Sequence, residues 1–188
     1  MTGVWIAVGV IGAVVLLGVV LYNRLVSIRN RVDNGWSQID VQLRRRYDLI
    51  PNLVEAVRGY ATHERELFER VTEARSRAAA AEGIDDRASA EDQVTVGVRQ
   101  LMAVVEGYPD LKADANFLAL QEELIGTEGR ITYARQFYND QVMRMNTAVQ
   151  SFPSSLVASA VDFSERPFFQ IQDPVARDAV AIDLGPDG

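Results

Sequence analysis

Apolar residues are distributed along this chain in two different ways. From Val4 to Leu21 they are almost continuous, VWIAVGVIGAVVLLGVVL, and no charged side chain occurs before Arg24. Beyond that point they recur mostly at intervals of three and four: Leu25, Ile28, Val32, Trp36, Ile39, Leu43, Tyr47, Ile50 and Val54, then Val57, Ala61, Phe68 and Val71. Such spacing places them on one face of an α-helix. It predicts a helical segment over 24–77, kinked or broken near 48–51. There Pro51 removes a backbone donor and disfavours helix at Ile50, and Asp48 can cap a restart. Gly35 is a second disturbance, worth up to ~1 kcal/mol in a helix interior.

The segment ends in Ala78–Ala81 and the acidic stretch EGIDDRAS, where Gly83 is a stop signal. A second helix is predicted over 90–106, capped by Ser89, with Val94, Val98, Leu101, Met102 and Val105 as its core face. Gly107-Tyr108-Pro109-Asp110 ends it. A third helix is predicted over 113–152, with a stripe running from Phe117 through Leu124, Ile131 and Val142 to Val149, and Pro153 closes it. A short helix can restart through Ala160.

The fold class is therefore all-α. A transmembrane helix precedes an elongated antiparallel up-and-down bundle, of three long helices, or of four if the first breaks at Pro51. The expected divisions are an anchor at 1–23 and a bundle at 24–161. An aromatic extended segment at 162–172 (Phe163, Pro167, Phe168, Phe169, Ile171) is expected to lie on the bundle. The tail at 173–188 is expected to be disordered, being rich in Asp, Gly and Pro.

The uncharged run has the length to cross a bilayer, since ~20 apolar residues at 1.5 Å each span the ~30 Å hydrocarbon layer. Trp5 and Tyr22 fall at its two ends, where amphipathic rings favour the headgroup level. A cleaved signal peptide would carry a basic start and a small-residue cleavage site, whereas this chain begins MTGVW and leaves the run through LYNRL. Arg24, Arg29 and Arg31 follow the span and nothing basic precedes it. The positive-inside rule then predicts a single-pass protein of the bacterial inner membrane, its N-terminus outside and its C-terminal domain cytoplasmic. The lipid bilayer is thus the first expected partner, through residues 4–22.

Composition sharpens this. The chain has 188 residues, no cysteine and a net charge of −7. A disulfide scaffold and thiolate metal sites are excluded. From Arg24 to Arg77 there are 11 arginines against 8 acids; from Ala78 onward there are 8 basic residues against 18 acids. The distal half carries no basic stripe, so no nucleic-acid partner is expected.

A search for reactive groupings returns none. His63 is the only histidine, and in His63-Glu64-Arg65-Glu66-Leu67 the second histidine of a zinc HExxH helix is replaced by Leu67. Glu122, Glu123 and Glu128 lack the Glu-x-x-His partners of a di-iron bundle, and read as helix surface. Gly126–Gly129 lies within a helical period and reads as a close-packing spot. No catalytic, cofactor-binding or metal residue is assigned. Arg44-Arg45-Arg46 lies ~33 Å past the span along an upright helix, beyond the reach of membrane charge. It reads as a solvated face pairing with Asp40 and Asp48, with a docking patch for an acidic partner as the alternative.

The stretches Tyr22–Glu64 (YNRLVSIRNRVDNGWSQIDVQLRRRYDLIPNLVEAVRGYATHE), Ala74-Arg75, Leu120–Pro153 (LQEELIGTEGRITYARQFYNDQVMRMNTAVQSFP) and Glu165–Phe169 (ERPFF) resemble the LemA family of bacterial membrane proteins. The resemblance covers most of the chain. It implies an N-out anchor and a long helical bundle, and supplies no catalytic residue. It also implies links to membrane-protease systems and, in magnetic bacteria, to magnetosome membranes. The expected function is a non-enzymatic, membrane-anchored scaffold that presents its helices to protein partners, a membrane protease or further copies of itself forming a homo-oligomer. Trp36, Tyr47 and Tyr60 are candidate contacts, with core packing as the competing role. The alternative is a signalling or envelope-stress-sensing subunit that transmits change through Pro51.

Overall fold

A single helix, α1, runs from Thr2 to Arg58 without interruption. The computed structural model describes residues 1–170; the expected disordered tail 173–188 and the end of the aromatic segment, Ile171 and Gln172, lie outside the described residues. Within them the fold is all-α: α1 is followed by α2 (Arg65–Ala80), α3 (Ile84–Val105), α4 (Pro109–Lys112), α5 (Ala115–Gln150) and α6 (Ser154–Ala160), with no strand. Every residue from Met1 to Leu17 is exposed, and α1 is the one described helix long and apolar enough to cross a membrane.

The break allowed at Pro51 does not occur. Pro51 is exposed, so its ring faces away from the packed side. A proline inside a helix costs ~3 kcal/mol. Against this, Ile50, Leu53, Val54 and Val57 are all at most 3% exposed, and burying each is worth ~1.5–3 kcal/mol. The helix ends instead at Gly59, where Tyr60 and Ala61 both donate to the Val57 carbonyl, at 3.0 and 2.9 Å. Ala61 stays buried, which carries the apolar period across the turn and hides the turn from a reading of periodicity.

The chain divides into two units. One combines Met1–Leu49 with Leu118–Phe169; the other is built on Ile50–Phe117. In the second, α2 and α3 form a helical hairpin. Gly83 turns the chain with φ +83°, a conformation that favours glycine. Gly97 brings the helices together, since a Cβ there would stand 3.1 Å from Val71 Cγ2. Most of the stretch expected as a loop, from Ile84 to Ser89, belongs to α3. Asp85 and Asp86 lie in its first turn, where the helix dipole favours acids. The expected cap Ser89 is therefore interior to α3, and Gly83 occupies the N-cap. At the start of α5 the Asp114 carboxylate accepts the Phe117 amide at 2.9 Å, so the helix opens at Ala115 rather than Ala113.

In the first unit α1 and α5 pack antiparallel, as contacts of Gly35 with Tyr138 and of Arg46 with Glu128 require. Gly35 is where the backbones meet: a Cβ there would lie 3.1 Å from Tyr138 Cα. Beyond α6 the chain reverses and runs back as an extended strap. Asn139 brackets the Phe169 peptide, donating to its carbonyl at 3.1 Å and accepting its amide at 2.9 Å. Asn146 brackets Arg166 in the same way, at 3.0 and 2.9 Å, and Tyr138 Oη donates to the Pro167 carbonyl at 2.9 Å. The strap seats Phe169 against Trp36, ring centroids 5.4 Å apart and nearly perpendicular.

Candidate interaction surface

The triple arginine of α1 divides into three environments. Arg44 is exposed and pairs with Asp40, one turn back, at 2.8 Å. Arg45 reaches across to α5, where its Nε lies 2.6 Å from Glu123 Oε1. Arg46 is fully buried and donates to Glu128 Oε1 at 2.9 Å, while Glu128 keeps 40% of its side chain in solvent. The solvated-face reading therefore holds for Arg44 and for Arg45, which stays exposed while pairing with α5, and fails for the buried Arg46. A residue-by-residue reading misses this because each partner acid lies about eighty positions away in the chain.

Glu123 is shared. Arg130 Nη2 approaches the same Oε1 at 2.9 Å, and the Thr127 hydroxyl donates to it at 3.4 Å. Arg130 also donates to Thr127 Oγ1 at 3.1 Å. Thr127 is buried. These contacts hold the Arg130 side chain, which lines a groove.

The groove, about 560 Å³, runs between α1 and α5. Its lining includes Ser37, Val41, Gly126, Gly129, Arg130 and Tyr133. Val41 is 60% exposed and Tyr133 70%. Gly126 and Gly129 do not pack closely, contrary to expectation. Gly129 has open space where a Cβ would be, and at Gly126 only the Arg130 guanidinium comes within 4 Å. The two glycines keep the floor of an apolar surface free of side chains, and large exposed apolar residues border it. Such patches mark interaction sites when contiguous and rimmed by polar groups.

The remaining candidates fall elsewhere. Trp36 is half-buried on Tyr138 and Phe169, and Tyr47 is buried, so both are core. Tyr60 is exposed on the turn after α1. His63 is exposed, and stands in that turn rather than on a helix. Glu122 is exposed on α5. Among the described residues no three His, Asp or Glu side chains come together as a metal site.

The model of the LemA family matches residues 35–184. The chain belongs to the LemA family. It is 26% identical over 153 residues to Protein LemA of Metamycoplasma hominis, a match that covers 80% of this chain and 69% of that protein. It is 23% identical over 175 residues to Magnetosome protein MamQ 2 of Paramagnetospirillum magneticum, covering 79% and 64%. It is 22% identical over 192 residues to Magnetosome protein MamQ of Magnetospirillum gryphiswaldense, covering 87% and 71%. The chain thus spans about two thirds of the length of these relatives. The apolar N-terminal helix and the magnetosome relatives together point to a membrane-associated member of the LemA family.

Proposed function

We propose that this LemA-family chain is a non-enzymatic, single-pass scaffold of the bacterial inner membrane. Residues 4–22 cross the bilayer with the N-terminus outside, and the cytoplasmic helices hold a protein partner in the groove between α1 and α5. A membrane protease and a second copy of the chain are the two candidate occupants.

The observation that carries the reading is the open apolar groove floored by Gly126 and Gly129 and bordered by the exposed Val41 and Tyr133. Exposed aromatic and aliphatic anchors beside a cavity are the usual centre of a protein–protein contact. Arg24, Arg29 and Arg31, directly after the span, support the orientation.

Photo-crosslinking tests it. With benzoylphenylalanine in place of Tyr133 in the full chain, irradiation of native membranes should give a discrete protein adduct, identified by mass spectrometry. Gly129→Leu should fill the groove and remove that adduct. An adduct that survives the filling, or no adduct at all, counts against the groove as a docking site. In intact cells an impermeant thiol reagent should leave a Thr132→Cys variant unlabelled; labelling would place the domain outside.

A further inference from the structure

The structure assigns a second membrane contact, beside the span. We propose that the concavity at the junction of α1, the end of α5 and the start of α6 seats an anionic phospholipid headgroup, while Phe152 and Leu156 dip into the acyl boundary of the same leaflet. The proposal rests on the reading of residues 4–22 as a span.

The level is set by α1. The uncharged run ends at Tyr22 and Asn23, so the bilayer surface lies there. Leu21 and Arg24 share a concavity of about 590 Å³ with Phe152, Pro153 and Ser154. The Tyr22 ring stands edge-on to Phe163, 6.3 Å between centroids. The corner between α5 and α6 therefore lies level with the end of the span.

That corner is apolar and uncovered. Phe152 is 80% exposed and Leu156 64%, while Ala158 on the opposite face of α6 is buried. In water these two side chains lose the hydrophobic stabilisation that a lipid boundary supplies.

The charge matches a lipid surface. The concavity is lined by Arg24, Arg31 and Arg144, and no described acidic side chain lines it. Arg31 lies ~10 Å beyond Arg24 along the helix, within the reach of long side chains that snorkel toward headgroups. A protein partner would not explain why the cationic cluster begins where the hydrocarbon layer ends. Each arginine close to an anionic surface strengthens association about fivefold.

The test uses the absence of cysteine, which makes any introduced thiol unique. An environment-sensitive fluorophore is attached to the full chain through Phe152→Cys, Leu156→Cys, Val8→Cys or Ile125→Cys. The chain is reconstituted in phosphatidylcholine vesicles with and without phosphatidylglycerol, and nitroxide is carried on the acyl chains of one lipid or the other. Ile125 is as exposed as Leu156 but lies ~37 Å from Gln150 along α5.

Acyl nitroxide should quench the probes at 152, 156 and 8 and leave the one at 125 bright. At 152 and 156 the quenching should be about fivefold more effective from phosphatidylglycerol than from phosphatidylcholine, the factor expected from even one arginine. The Arg24→Gln/Arg31→Gln/Arg144→Gln variant should erase that preference without changing the signal at 8. Solvent-like emission at 152 and 156 with quenching at 8 overturns the proposal. So does shielding from water without nitroxide contact, which assigns the corner to a protein. Equal quenching from both lipids removes the headgroup seat, and a preference abolished by inorganic phosphate assigns the cluster to a soluble anion. An unquenched probe at 8 overturns the span and this proposal with it.

Discussion

Removing the Glu128 carboxylate should destabilise the protein far more than removing the Arg46 guanidinium that it holds. Arg46 is fully buried on α1 and Glu128 retains 40% side-chain exposure on α5. Taking one partner from a fully buried pair costs ~3–5 kcal/mol, because the other charge stays uncompensated out of water. Glu128 is partly solvated, which lowers the expected loss for Glu128→Ala to ~2–3 kcal/mol. Arg46→Met is a different perturbation. It keeps the volume of the stem and leaves behind a carboxylate that water can reach, so its effect should fall within ~1 kcal/mol of zero. Arg45→Ala breaks an exposed pair and should cost only ~0–1 kcal/mol. The assay is urea unfolding of the full chain in mild detergent. It is followed by the fluorescence of Trp36, which packs on Phe169 and Tyr138, with Trp5→Phe as the background. The reasoning fails if Arg46→Met costs more than Glu128→Ala, or if Glu128→Ala matches Arg45→Ala.

The other expectations use the same assay except where stated. Gly35→Ala should destabilise by ~1 kcal/mol, since overpacking against the Tyr138 backbone at ~1–3 kcal/mol outweighs a helix-propensity gain of ~1 kcal/mol. Gly129→Ala meets open space and should stabilise by ~0.5–1 kcal/mol; a shared sign for the two would defeat the argument. Pro51→Ala should stabilise by ~2 kcal/mol, the helix-interior penalty less the lost restriction of the unfolded chain, and a loss would show that the ring has a packing role. Asn139→Ala removes both bonds to Phe169 and should expose the strap to chymotrypsin at Phe168, which unchanged proteolysis would contradict.

Much of the fold was legible in the sequence because it depends on local period. Leu25, Val32, Ile39, Leu43, Ile50 and Val54, all on the three–four stripe, are buried. What periodicity missed depends on neighbours remote in sequence or on termini. Gly35 read as a weak point and is the close-packing position, whereas Gly126 and Gly129 read as close packing and floor an open groove. The difference lies in what faces each glycine, and no local propensity carries that. Arg46 read as solvent-facing because arginines usually are, yet its acid stands 82 positions away. The start of α3 was missed because Gly83, Asp85 and Asp86 suit a loop and the mouth of a helix equally well. The site fared worse than the fold for the same reason: Val41 on α1 and Tyr133 on α5 border one groove, and only the tertiary packing unites them.

Fractionation of cells carrying the full-length chain bears most directly on whether residues 4–22 hold it in a bilayer. After an alkaline carbonate wash the intact protein should remain in the membrane pellet and enter solution only with detergent. Unprocessed protein recovered in the aqueous supernatant as a stable monomer would contradict the account.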